Sequence, residues 1–184
     1  DVILLTTNKN INKIFNQSKE LKVKNIIVSN ESHYLKLKKK LKNKNIKVFN
    51  NLNSINKIIK KKIDYTMCAI SGLDGLQPTL DSIKISKQVA IANKESIICA
   101  WNFFKKQLKK FNTEFIPVDS EHFSIWYALK NQSASNLDKL YLTASGGPLL
   151  NVSYNKYNSL KISEIINHPN WSMGEKISVD SATL

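Results

Sequence analysis

The sequence predicts an α/β fold organised as a doubly wound parallel sheet, followed by the start of an α+β unit. Three observations carry this. Short runs rich in Val, Ile and Leu recur through the first two thirds of the 184 residues. Between them lie segments of ~10 to 15 residues with helical apolar spacing, the alternation that βαβ units produce. After about Leu129 that rhythm stops and Asn, Ser, Tyr and Gly take over. Right-handed crossovers place helices on both faces of such a sheet, giving a Rossmann-like arrangement.

Each element follows from its own pattern. Val2 to Thr6 reads as a strand, and Ile11, Ile14, Phe15 and Leu21 as a helical stripe. Asn25 to Val28 is a second strand. Ser32 opens a helix carrying Leu35, Leu37 and Leu41, and Ile46 to Phe49 is a third strand. Ser54 begins a helix with Ile55, Ile58, Ile59 and Ile63. Tyr65 to Ile70 is a strand ended by Ser71-Gly72. A helix spans Leu76 to Ile85, with Pro78 tolerated in its first turn. Gln88 to Ile91 is a strand, Glu95 to Lys110 a helix, Phe115 to Val118 a strand and Ser120 to Leu129 a short helix. Asn131 to Asn136 is a polar linker. Leu140 to Thr143 reads as a strand ending in a Gly-Gly-Pro turn. A short helix lies near Ser163 to Ile166, and His168 to Thr183 shows little periodicity. The expected division is 1–113 and 114–184.

Composition excludes several classes. Hydrophobic content of 42% supports a buried core. No apolar run approaches the ~20 residues that cross a bilayer, so no membrane partner is expected. The chain opens on an apolar run without a basic leader, as a strand would if cut from what precedes it. The formal charge of +14 invites a nucleic-acid reading, but all 28 basic residues are Lys. Arg supplies the planar forks that read phosphates and base edges, so no nucleic-acid partner is expected. Lys38-Lys39-Lys40 and Lys60-Lys61-Lys62 fall late in expected helices, where they suit the negative helix end and a solvated face. Cys68 and Cys99 lack CxxC spacing and lie among apolar residues, as buried reduced thiols do.

Parallel sheets bind ligands beyond the carboxyl ends of their strands, which directs attention to four loops. In Asp119-Ser120-Glu121, two carboxylates one residue apart can converge on a hard cation such as Mg²⁺ or Mn²⁺. Taken alone, the tripeptide fits an N-cap with a dipole-favoured first-turn acid somewhat better. His122 reads as a packing or capping neighbour. Ser145-Gly146-Gly147-Pro148 exposes backbone amides that can cradle a phosphate, although ordinary loops share this composition. His168 to Gly174 places Trp171 and Met173 in a Pro- and Gly-punctuated segment. A closing lid and a loop tucked onto the core fit it equally. Asn93-Lys94-Glu95-Ser96 offers Lys94 to a phosphate or oxyanion, and reads equally as a capped helix start.

Together these strings are more specific than any one of them. In order, they are Ala92-Asn93-Lys94-Glu95-Ser96, Pro117-Val118-Asp119-Ser120-Glu121-His122, Thr143-Ala144-Ser145-Gly146-Gly147-Pro148, and HPNWSMGEKISVDSAT from His168 to Thr183. The series resembles the 1-deoxy-D-xylulose 5-phosphate reductoisomerase family over nearly the whole chain, most strongly from Ala69 onward. The resemblance implies an NADPH- and divalent-metal-dependent enzyme acting on a phosphosugar, homodimeric when complete, in a bacterial cytoplasm or, as the alternative, a plastid. It implies that Asp119 and Glu121 are two of three metal carboxylates. Lys94, Ser120, Glu121, Ser145, His168 and Ser181 would contact substrate, with Lys94, Asp119, Glu121 and His168 at the chemistry. Trp171 would be the lid indole. Asn93, Glu95 and Gly174 would lie beside the nicotinamide, and Asn8, Lys9 and Asn10 near the adenosine end.

Departures from the family pattern are visible. No G-x-G-x-x-G string occurs, and Asn8 stands where members often carry Gly. The family's glycine-rich loop is expected before residue 1, and its Asn-Lys pair and third metal Glu after Leu184. A fragment inactive on its own is therefore expected. Two alternatives remain at this stage. One is a metal-independent NAD(P) oxidoreductase, which leaves Asp119, Glu121 and the His168 segment unexplained. The other is a basic nucleic-acid module, which would show strongly salt-dependent binding.

Overall fold

In the computed structural model, residues 1–42, 45–172 and 174–183 are described, with the backbone alone for Ala134. Met173 of the expected lid lies outside the described residues. The chain forms two compact units, Asp1–Ile116 and Pro117–Leu184.

The first unit alternates strand and helix as its apolar periods dictate. Its elements are β1 (Leu4–Thr7), α1 (Ile11–Glu20), β2 (Asn25–Val28), α2 (Glu31–Lys40), β3 (Lys47–Phe49), α3 (Ile55–Ile58), β4 (Ile63–Cys68), α4 (Leu76–Ile85), β5 (Ser86–Ile91), α5 (Lys94–Phe111) and β6 (Glu114–Pro117). β1 pairs parallel with β2, Leu5 opposite Ile26, and β2 with β3, Ile26 opposite Val48. β4 pairs parallel with β5, Thr66 opposite Val89.

Strand β2 shows why the sheet is covered on both sides. Ile26 and Val28 enter one core with Ile14, Phe15, Leu37 and Leu41, from α1 and the end of α2. Ile27, pointing the other way, enters a second core with Ile55 and Ile59. A strand buried on both faces needs a continuous apolar run, and Ile26-Ile27-Val28 supplies one. A third core gathers Cys68, Leu80, Ile83, Val89, Ile91 and Phe104. Ile83 and Phe104 are fully buried, and side chains of that size contribute roughly 1.5–3 kcal/mol each.

The hydrogen-bonded ladder is divided, in the orders β1-β2-β3 and β4-β5-β6. Leu4 and Ile63 pack against the same second core, so the two halves share apolar contacts there. Tyr65 and Met67 of β4 are exposed.

Several expectations are corrected. The stripe from Ile55 breaks after α3, because Ile59 turns to extended backbone and Ile63 begins β4. Lys60 to Lys62 therefore lie between elements. Lys62 Nζ still meets a negative helix end, donating to Phe111 O at the carboxyl terminus of α5. Leu35 faces outward on α2 while Leu37 is buried. Cys99 is exposed, on the outer side of α5, and only Cys68 is buried.

The second unit holds α6 (Ser120–Leu129), α7 (Ile162–Ile166), α8 (Glu175–Asp180) and 3-10 turns at Ala134–Asn136 and Tyr154–Ser159. No strand forms at Leu140 to Thr143. Strand backbone needs a neighbour for its N–H and C=O groups, and no pairing exists there among the described residues; Leu140, Tyr141 and Leu142 are exposed. Conversely, α8 forms in a segment expected to be aperiodic, its turn tied by Lys176 Nζ to Asp180 Oδ2 at 2.6 Å. Among the described residues, no helix is long and apolar enough to cross a membrane.

Candidate active site

The expected site residues fall into local groups. In the second unit, Asp119 caps α6. Its Oδ1 accepts the His122 backbone N–H at 2.8 Å and lies 2.5 Å from His122 Nδ1. Glu121 follows in the first turn, its Oε2 accepting from Ser120 Oγ at 3.0 Å. Asp119 and Ser120 are exposed and Glu121 half-buried. The capping expectation for Asp119 is met by one of its oxygens, Oδ1.

That donor set fits a hard cation, which takes carboxylate oxygens. Two carboxylates are too few to fill six positions. Among the described residues no cluster of three or more His, Cys, Asp or Glu side chains forms. Asp119 and Glu121 would hold such an ion together with oxygens from elsewhere.

Three residues far apart in sequence converge in the same unit. His168 Nε2 lies 3.2 Å from Ser145 Oγ. Gly147 packs on the turn after α8 so closely that an added Cβ would sit 2.0 Å from Ser181 O and 2.5 Å from Ala182 O. Leu149 N donates to Ala182 O at 2.7 Å, locking the two turns together. Gly146 has φ +71°, a conformation glycine adopts without strain. The sequence expectation named Ser145, His168 and Ser181 and singled out the Gly146-Gly147 turn, but not the close approach of Gly147 to the turn after α8. The paired glycines were the available signal, since only a residue without Cβ tolerates that approach.

The segment expected to form a lid begins on the same histidine. Asn170 N and Trp171 N both donate to His168 Nδ1, at 3.1 and 3.2 Å. Trp171 is exposed rather than tucked into a core, and Gly174 caps α8 without a side chain.

In the first unit, Asn93 caps α5 and is buried. Its Oδ1 accepts from Ser96 N at 2.9 Å. Lys94 and Glu95 open the helix beside it, where the helix dipole favours the acid. Asn10 similarly caps α1, accepting from Lys13 N at 3.1 Å, with Asn8 and Lys9 exposed in the loop after β1.

Two family models match the chain. The model for 1-deoxy-D-xylulose 5-phosphate reductoisomerase covers residues 1–101, and the model for that enzyme's C-terminal domain covers 115–184. The chain belongs to the 1-deoxy-D-xylulose 5-phosphate reductoisomerase family. A reductoisomerase from Pelagibacter ubique is 57% identical over 98% of this chain and 47% of its own length. One from Clostridium botulinum is 37% identical over 97% of this chain and 47% of its own length. The solved reductoisomerase from Zymomonas mobilis in complex with NADPH superposes with a TM-score of 0.85 at 31% identity, covering 98% of this chain and 46% of that one. A reductoisomerase structure in complex with NADPH, fosmidomycin and magnesium gives a TM-score of 0.79 at 30% identity, over 98% and 47% of the two chains. The chain therefore spans about half the length of the reductoisomerases it matches. The likeness to the Zymomonas mobilis enzyme also bears out the expected Rossmann-like parallel-sheet fold class.

Proposed function

We propose that this chain supplies nucleotide-, metal- and substrate-binding parts of an NADPH-dependent reductoisomerase. The enzyme would convert 1-deoxy-D-xylulose 5-phosphate to 2-C-methyl-D-erythritol 4-phosphate in isoprenoid precursor synthesis. Supporting it is one observation above the rest. Ser145, His168 and the backbone of Ser181, drawn from two sequence strings, are gathered around the Gly146-Gly147 turn, and related structures are named for complexes with NADPH and magnesium.

The residues take the following roles in this reading. Residues 1–113 form the NADPH-binding unit, with Asn8, Lys9 and Asn10 toward the adenosine end and Asn93, Glu95 and Gly174 toward the nicotinamide. Residues 114–184 form the metal and substrate unit. Asp119 and Glu121 hold Mg²⁺ or Mn²⁺, and Ser120 adds a hydroxyl to the substrate. Ser145 and Ser181 serve the phosphate or its neighbouring oxygens, Ser181 by turning its hydroxyl away from Ile177 O, to which it donates at 2.8 Å. Lys94 and His168 meet developing negative charge, and Trp171 covers the bound sugar and excludes water. When bound, the metal supplies Lewis-acid polarisation and NADPH supplies hydride. The complete protein is a homodimer in a bacterial cytoplasm, with no nucleic acid or membrane partner.

The test is product formation. Protein from the complete reading frame, incubated with 1-deoxy-D-xylulose 5-phosphate, NADPH and Mg²⁺, should yield a branched polyol phosphate detectable by mass spectrometry. The yield should vanish with EDTA. NADPH consumption unaffected by EDTA would favour a metal-independent NAD(P) oxidoreductase instead.

A further inference from the structure

The formal excess of positive charge sits in one unit and at one edge of it. Asp1–Ile116 holds 23 of the 28 lysines but only 8 of the 14 acids. In a parallel βαβ sheet, helix carboxyl ends and strand amino ends share the edge opposite the ligand loops. Every described lysine of this unit except Lys9, Lys13 and Lys94 belongs to that opposite edge. Each lies in the second half of a helix, in the stretch that follows, or at the start of the next strand. Toward the ligand edge, Lys9, Lys13 and Lys94 are matched in number by Glu31, Asp74 and Glu95. The excess is therefore carried away from the edge proposed for NADPH.

One stretch of the lysine-rich edge also offers open backbone and apolar surface. β3 ends its ladder, pairing with β2 alone among the described residues. Lys47 N donates to Lys24 O at 2.8 Å, so the alternation along a strand turns the Val48 N–H and C=O away from β2. A groove follows this side. Its floor is Leu41, Ile46, Val48 and Phe49, and Lys38, Lys42 and Lys47 stand exposed around it. Val48 packs toward the first core and Phe49 toward the second, so a groove that touches both runs along the strand's edge.

We propose that this groove docks an acidic, extended segment of a partner protein, added to β3 as a further strand. Its backbone pairs with the outward groups of Val48, its alternate apolar side chains lie on the groove floor, and its carboxylates face the three lysines. A polyphosphate backbone or a lipid headgroup would meet the lysines but lacks the N–H and C=O alternation that a strand edge matches. Lysine on an edge strand also guards against self-association, a role that predicts no saturable binding. The proposal is independent of the NADPH reading.

The experiment uses protein from the complete reading frame and a short fluorescein-labelled peptide of alternating valine and glutamate, followed by fluorescence anisotropy. Expected is saturable binding that weakens about tenfold between about 50 and 500 mM NaCl, as screening requires. Lys42→Glu combined with Lys47→Glu should weaken it about tenfold or more, with turnover and melting temperature little changed. Val48→Pro removes the outward N–H, a change that edge strands accept, and should weaken binding about fivefold. Absence of saturable binding to the wild type overturns the proposal. So does affinity retained by the doubly substituted protein or by folded Val48→Pro, or equal affinity for a valine–glutamine peptide. Binding of RNA or anionic lipid vesicles without binding of the peptide overturns it in favour of a general polyanion surface.

Discussion

His168 Nε2 lies 3.2 Å from Ser145 Oγ, while its Nδ1 accepts the backbone N–H groups of Asn170 and Trp171. A nitrogen that accepts carries no proton, so the neutral ring keeps its proton on Nε2 and donates to the serine. One imidazole thus ties the segment after His168 to the Ser-Gly-Gly turn. His168→Gln can replace one of these links but not all three. It is expected to raise the KM for the phosphosugar about tenfold or more, while NADPH affinity changes little. Steady-state kinetics with each substrate varied in turn checks this. An equal loss for both would mean that the ring only supports the fold.

Gly147 sets how closely that turn approaches Ser181. Gly147→Ala drives a methyl group against backbone oxygens at 2.0 and 2.5 Å, atoms that cannot rotate away. A destabilisation of about 1–3 kcal/mol is expected in urea denaturation, the usual cost of overpacking. In the fraction that folds, the phosphosugar KM should rise. Gly174→Ala is the control for stability alone: among the described residues nothing lies within 4 Å of a Cβ there.

The two thiols should behave differently. Cys99 is exposed and should react with a thiol reagent in the native state. Burial pushes the Cys68 thiol above its ordinary value, outweighing hydrogen bonds from Ser82 and Thr79 that act the other way. Cys68 should label only after unfolding. The raised value also fixes a pH dependence. Below the unfolded thiol's pKa, about 8.5, the contribution to stability is fully present; as pH rises beyond it, the unfolded state sheds its proton first and stability falls. Urea midpoints from pH 7 to 10 should decline for the native chain and decline less for Cys68→Ala.

Much of the first unit was legible because its elements announce themselves locally. The α4 stripe from Leu76 to Ile85 and the cap at Asp119 each need only nearby residues to be read. What escaped depended on partners distant in sequence. Ile63 fits a helical period with Ile59, but pairing with Ser86 makes it a strand residue. Leu140 to Thr143 has strand composition and, among the described residues, no neighbour to pair with. The candidate site residues could be named only from strings whose joint order points to one family. The approach at Gly147 is spatial, and no local pattern encodes it beyond the presence of glycine.

Metal dependence through Asp119 carries the account. The Asp119→Asn variant keeps an N-cap for α6, so its stability should stay within about 0.5 kcal/mol of wild type, while its negative charge is gone. NADPH absorbance would be followed with 1-deoxy-D-xylulose 5-phosphate across a Mn²⁺ titration, for wild type and variant expressed from the complete reading frame. The account predicts metal-dependent oxidation by the wild type. It predicts a variant that folds and binds NADPH but turns over at least a hundredfold more slowly, about 2.7 kcal/mol in the barrier. A variant with wild-type rates and the same Mn²⁺ midpoint would contradict it.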